Sequence, residues 1–325
     1  VFSKTIFASF KPASIIDSLA MIFAFPISDL NSAFVVISPS SLRSSYRNWS
    51  MSSIAIVFIH SFGFKILVVF MKLGIIGCGA IGTDVALAAN NFEEIESIYL
   101  HDINKNAVSS LENQITKGKT VDISSLLNES DVIFEAASQD AVKMYAKKVL
   151  EKGKDIIIMS IGSLFDDDFR IELEETARKY HAKLYLPSGA VCGIDGILSA
   201  SCDIIDKVTL VTTKPPKALN KDLKKRTVVF HGTAREAVQK FPKNINVAAN
   251  LSIAGIGFDD TLVEIVADPV ATRNSHKILA HGRFGRLRAE IENMPNPNNP
   301  GSSYLASLSA IATLKRILNP IQIGA

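Results

Sequence analysis

Cysteine is scarce in this 325-residue chain: Cys78, Cys192 and Cys202 are an odd number without metal-site spacing. A disulfide scaffold is therefore excluded, no metal is expected, and reduced thiols in a cytoplasmic protein are the simplest reading. Charge of one sign is lacking too. The formal net charge is +3 and nothing basic accumulates along the chain, so no nucleic-acid partner is expected. With 47% hydrophobic and 21% charged residues the chain is not disordered, and its length suffices for one or two domains with a real core. No internal repeat or low-complexity segment follows residue 70.

The first 70 residues contain no Glu. They hold five Lys/Arg, two Asp, fifteen Ser and ten of the eighteen Phe, while the remainder balances 30 basic against 30 acidic residues. Apolar stretches in this leader keep neither helical nor strand period for long. Ile54–Phe70 is its best membrane candidate, but His60, Gly63 and Lys65 interrupt it and it is barely long enough. A secretory signal cannot be placed in it. Three readings compete: a membrane anchor, a targeting segment, or upstream codons translated from a start set too early. The third is preferred, because Met71 immediately precedes the first strand of a complete domain. No membrane contact is expected for residues 71–325.

From Met71 the rhythm is strand, helix, strand. Lys72–Ile76, Ser97–Leu100, Val132–Phe134, Asp155–Met159 and Lys183–Leu186 read as strands, and Ile81–Asn90, Ala141–Leu150 and Phe169–Tyr180 as helices. That alternation implies an α/β fold with a doubly wound parallel sheet over residues 71–186. After Pro187 the pattern becomes mainly antiparallel, with strands at Lys207–Thr213, Thr227–Phe230, Leu262–Ala267, Ser275–Ala280 and Arg286–Ile291. Ala234–Lys240 and Val247–Ala254 read as helices. Residues 187–295 thus read as an α+β domain. In residues 296–325, after the Asn/Pro-rich loop Asn293–Gly301, helix Ser303–Leu318 is expected to return to the first domain through Leu305, Leu308, Ile311, Ala312 and Leu318.

Gly77-Cys78-Gly79-Ala80-Ile81-Gly82 fits the dinucleotide fingerprint G-x-G-x-x-G. Its first glycine allows a tight turn, its second lets backbone approach a pyrophosphate, and its third lets helix and strand pack closely. Alone the pattern is weak. Here it follows an apolar strand and opens a helix, and Asp102 lies 20 residues past Gly82, where an acid should accept the ribose hydroxyls. Asp102 favours NAD by repelling a 2′-phosphate, and Lys105 blurs the preference enough to leave NADP open.

The second half names a reaction. From Met71 to about Ile321 the chain resembles the L-aspartate dehydrogenase family, archaeal and bacterial enzymes that oxidise L-aspartate with NAD(P). The matching stretches are Gly77–Gly82, Glu135–Gln139, Pro187–Ala190 with Gly193-Ile194-Asp195, Phe241–Ala249, Ala267-Asp268-Pro269, Arg273–Ile278 and Gly282–Gly285. One departure is Ser163, where many relatives carry alanine after the glycine. The leader has no counterpart in the family.

The resemblance implies that His276 is the catalytic residue and that Ala190 and Asn246 contact the dinucleotide. Imidazole suits the chemistry, since amine oxidation and imine hydrolysis both need proton transfer near neutral pH. His281, five positions on, should face the opposite way along a strand. Asn246 is also suited to capping a helix. Lys243 and the backbone around Ser188 are candidates for the substrate carboxylates, with a solvated surface role equally open for Lys243. Glu135 is either a functional or a satisfied structural acid, and Cys78 and Cys192 read as packing.

The expected reaction is oxidation of L-aspartate to iminoaspartate, then to oxaloacetate and ammonia, with the imine able to feed NAD synthesis through quinolinate. Rival readings are a homoserine dehydrogenase or imine reductase, and a dinucleotide sensor without turnover. A homodimer through the second-domain sheet is expected, because such a sheet leaves a face to cover.

Overall fold

The computed structural model describes residues 32–37, 55–60, 63–68 and 70–325, except Asn220, residues 242–244 and Ala325. Val1–Val69 and Phe70–Ala325 form two compact units. In the first, Ser32–Ile37 (β1), Ala55–His60 (β2) and Gly63–Val68 (β3) pair antiparallel in the order β1-β2-β3. The run read as a membrane candidate therefore holds two paired strands. Among the described residues, no helix is long and apolar enough to cross a membrane.

The second unit opens with Met71–Ile76 (β4), whose Leu73 and Ile75 are fully buried. Ala80–Ala89 (α1) leads to Ile95–His101 (β5), and Lys105–Glu112 (α2) to the short Gly118–Thr120 (β6). Ile123–Glu129 (α3) crosses back to Val132–Glu135 (β7). Gln139–Glu151 (α4), Asp155–Ile158 (β8), Asp167–Tyr180 (α5) and Leu184–Tyr185 (β9) complete the layer. All five pairings are parallel and the strand order is β6-β5-β4-β7-β8-β9. The chain leaves β4 in one direction and returns to its other side at β7. A sheet of this order offers its binding crevice at that reversal, beyond the carboxyl ends of β4 and β7. β7 and β8 are buried on both faces, as helices on both sides of a parallel sheet require.

After Ile194–Ala200 (α6) comes a five-stranded mixed sheet. Its strands are Ile205–Lys214 (β10), Thr227–Thr233 (β11), Thr261–Ala267 (β12), Asn274–Gly282 (β13) and Gly285–Asn293 (β14), in the order β11-β12-β10-β13-β14. Only β10–β12 is parallel. Ala234–Lys240 (α7), capped by Thr233 and Glu236, and Asn246–Ala254 (α8) contribute to the core that covers one sheet face.

The segment expected as a loop, Asn293–Gly301, contains a small hairpin instead, pairing Pro295–Asn296 (β15) with Asn299–Ser303 (β16). Asn296 builds the turn: its Oδ1 accepts the amides of Asn298 and Asn299 at 2.7 and 3.2 Å. Helix Tyr304–Leu318 (α9) then packs beside α1, through a stripe that shares Ile311 and Leu318 with the expected one. Ala310 and Leu314 join the core of Leu73, Ile75 and Val85, while Leu308 and Ala312 are exposed. The buried face also carries Ser307, Ser309 and Thr313. Their hydroxyls are bonded to Asn296, Ala306 O and Ser309 O, so hydropathy alone located only part of the buried stripe.

Candidate active site

The glycine loop joins β4 to α1 at the reversal of the first sheet. Gly77 has φ +100°, and a Cβ there would lie 2.6 Å from the Ala136 backbone. A Cβ on Gly82 would lie 1.9 Å from Gly77 O, so this glycine lets α1 pack against the loop. Gly79 is different: an added Cβ meets nothing within 4 Å and would project into open space in front of the helix. The first amide of α1 that bonds within the helix is Thr83, to Gly79 O at 2.8 Å. The amides of Ala80, Ile81 and Gly82 therefore precede the helical ladder and are the groups that a phosphate takes at a helix start. Asp102, just past β5, accepts the Cys78 amide through Oδ2 at 2.7 Å and the Asn104 amide through Oδ1 at 2.8 Å. A half-buried carboxylate held this way beside the loop fits a ribose, and the cradle as a whole fits a dinucleotide.

Glu135 ends β7 as a structural acid. Its carboxylate accepts the amides of Ala137, Ser138 and Ser160 and the Ser160 hydroxyl, at 2.8–3.1 Å. Burial raises its pKa despite these bonds, which oppose the shift. It fixes the turn Ile161–Phe165, where the Ser163 hydroxyl, fully buried, donates to Ser160 O at 2.9 Å. The serine that departs from the family pattern thus satisfies itself. Cys78 is a buried thiol pushed up to about 12, by burial first and then by Asp102, and is inert packing.

From this turn a chain of hydrogen bonds runs into the second sheet. Asn246 Oδ1, at the first residue of α8, accepts the Gly162 amide at 3.0 Å. One turn on, the buried Asn250 donates to Pro187 O at 2.7 Å. The same loop is held at its other end by Asn293, whose Nδ2 donates to Ala190 O at 3.0 Å, and by Ser309, which accepts the Gly189 amide. Asn246 and Ala190 are therefore tied into one framework. Ser188 lines a groove of about 730 Å³ with Cys192, Leu305 and Leu308. Lys243 lies outside the described residues.

His276 sits on β13 opposite Thr212 of β10 and Ile291 of β14. Alternation turns His276, Ile278 and Ala280 inward, and leaves Leu279 and His281 outside. His281 faces away as expected, 3.6 Å from Asp206. The His276 ring is buried, and its Nδ1 lies 2.9 Å from the Thr212 hydroxyl. Its pKa is lowered to about 4, by burial and then by the charge of Lys214. Lys214, at the end of β10, is itself buried, and burial lowers its pKa. Val208, Leu210, Thr212 and Lys214 share the inner face of β10, so this face turns from apolar to polar along the strand. Sequence reading missed Thr212 and Lys214, although the period-2 pattern of β10 carried them. Asn250 and Asn293 gave no comparable signal, because their partners are backbone carbonyls distant in sequence.

Comparison with known proteins agrees in both halves. Residues 195–317 match the family described as aspartate dehydrogenase, C-terminal, and residues 77–187 match the homoserine dehydrogenase NAD binding domain. L-aspartate dehydrogenase of Methanosarcina mazei is 44% identical over 269 residues, covering 78% of this chain and 99% of the relative. That of Nitrosopumilus maritimus is 42% identical over 271 residues, with the same coverage. The crystal structure of aspartate dehydrogenase from Thermotoga maritima superposes with a TM-score of 0.67 at 32% identity, covering 78% of this chain and 99% of that one.

Proposed function

The chain belongs to the L-aspartate dehydrogenase family, and on that premise we propose that it oxidises L-aspartate to iminoaspartate with a nicotinamide dinucleotide. The observation that carries this reading is the buried His276–Thr212 pair, on a sheet whose β14 is hydrogen-bonded to Ala190 and whose covering helix α8 is hydrogen-bonded to the turn after β8. Gly77, Gly79 and Gly82 with the amides of Ala80 and Ile81 would hold the pyrophosphate, and Asp102 the adenosine ribose. Ala190 and Asn246 belong to the nicotinamide end. When bound, the nicotinamide supplies a hydride acceptor.

His276 has the proton chemistry. With a pKa of about 4 it is neutral at pH 7 and can accept a proton. The Thr212 hydroxyl orients Nδ1, which leaves Nε2 to face the substrate. The substrate ammonium gives up a proton, and the nitrogen lone pair forms the C=N bond as hydride leaves Cα. Water then adds to the imine carbon, losing a proton to a base, and ammonia departs from the resulting carbinolamine. Histidine is suited to carrying these protons in turn.

The reading extends further. Asp102 favours NAD over NADP, the imine is available for NAD synthesis through quinolinate, and three free thiols accord with a cytoplasmic enzyme. The outer face of the second sheet, with Thr209, Leu279, Arg286 and Arg288 around a concavity of about 670 Å³, supports a homodimer there. The alternative drawn from the homoserine dehydrogenase description touches only the cofactor half. Incubation with NAD and L-aspartate should give reduced cofactor, oxaloacetate and ammonia in equal amounts. Turnover of homoserine with none of aspartate would reverse the assignment.

A further inference from the structure

β10 aims a lysine at the place where the imidazole works. Thr212 and Lys214 are alternate residues on its inner face, and Thr212 is the cross-strand partner of His276. Lys214 is therefore the diagonal neighbour of His276, within reach for a long side chain. It is 8% exposed and His276 is 7% exposed. The charge of Lys214 is felt at the imidazole, where it disfavours a second positive charge. The outward residues of the same strand, Lys207, Thr209, Val211 and Thr213, include a lysine that remains in solvent. The sequence thus places one lysine outside and one inside.

A dicarboxylic substrate brings two negative charges into this face, and its reacting carbon must come within reach of His276. We propose that Lys214 receives a carboxylate of the substrate and is the residue that selects a dicarboxylic amino acid here. This rests on the aspartate reading given above. It also gives the positive charge near His276 a use: it adds to the burial that keeps the imidazole neutral while drawing the anionic substrate to it.

The test is kinetics and binding on the full chain, using wild type, Lys214→Met and Lys214→Arg. Succinate, a dicarboxylate without the amine, serves as the inhibitor, and NADH affinity reports the fold. Lys214→Met should raise KM for aspartate on the order of 100-fold and weaken succinate by a similar factor, with NADH affinity unchanged. Lys214→Arg should recover part of both. A Met variant with normal KM and normal succinate inhibition overturns the proposal, as does one that loses kcat alone. Should Lys214→Met lose NADH binding, Lys214→Arg decides: loss of succinate inhibition despite the retained charge overturns the proposal, and inhibition within about tenfold of wild type supports it. Wild type that binds succinate through Lys214 but leaves aspartate unoxidised would fault the aspartate reading and leave this proposal standing.

Discussion

Burial makes the stability of the fold depend on the protonation of His276. Its folded pKa is depressed from 6.5 to about 4, mainly by burial. Between those values the unfolded chain takes up a proton that the folded chain refuses. Stability is therefore full above pH 6.5 and falls as the pH drops toward 4. The full effect is on the order of 3 kcal/mol. Urea unfolding at a series of pH values should show this slope in wild type and lose it in His276→Asn. The glycine loop separates binding from folding in the same way. Gly79→Val adds a side chain into open space, so the protein should fold normally while dinucleotide affinity falls by at least about tenfold. Gly82→Val drives a side chain into Gly77 O and should lower the melting temperature itself. Asp102→Ser should narrow the preference for NAD over NADP, measured as a ratio of kcat/KM values. An unchanged ratio would give that acid another role.

At the scale of elements, the strands and longer helices of residues 71–318 were readable from periodicity. β4, β7, β8 and β10 to β14 lie where their apolar patterns put them, and α7 runs over Ala234–Lys240 as expected. Among the described residues, the shorter pieces α2, β6, α3, α6 and the hairpin β15–β16 were not readable. Asn104 and Asp122, which cap α2 and α3, are also common loop residues. The stripe of α9 was legible only at Ile311 and Leu318, for a related reason. Its buried face carries Ser307, Ser309 and Thr313 in place of aliphatics, and serine is invisible to a hydropathy pattern. The buried and the exposed positions make opposite demands on mutation. Leu314→Ala, at a fully buried position, should cost about 2–5 kcal/mol by denaturant unfolding. Leu308→Ala, at a position 41% exposed, should cost under about 1 kcal/mol.

The whole molecule divides at residue 69, and everything assigned to catalysis or cofactor binding lies in Phe70–Ala325. Within that unit the candidate site was half legible. The glycine loop and Asp102 stand in one local motif, and the match around Arg273–Ile278 marked His276. The partners that give His276 its character, Thr212 and Lys214, lie more than sixty residues away in sequence and meet it only through the pairing of β10 with β13. In the proposed function this buried imidazole moves protons for hydride removal from L-aspartate. The most direct measurement is the rate of reduced-cofactor formation with saturating NAD and L-aspartate, on wild type, His276→Ala and His281→Ala, with NADH affinity determined for each. Wild type should reduce the cofactor only with aspartate present, and His276→Ala should lose roughly 10²–10⁴-fold in rate at near-normal NADH affinity, with His281→Ala close to wild type. Turnover of His276→Ala within about twofold of wild type would contradict it.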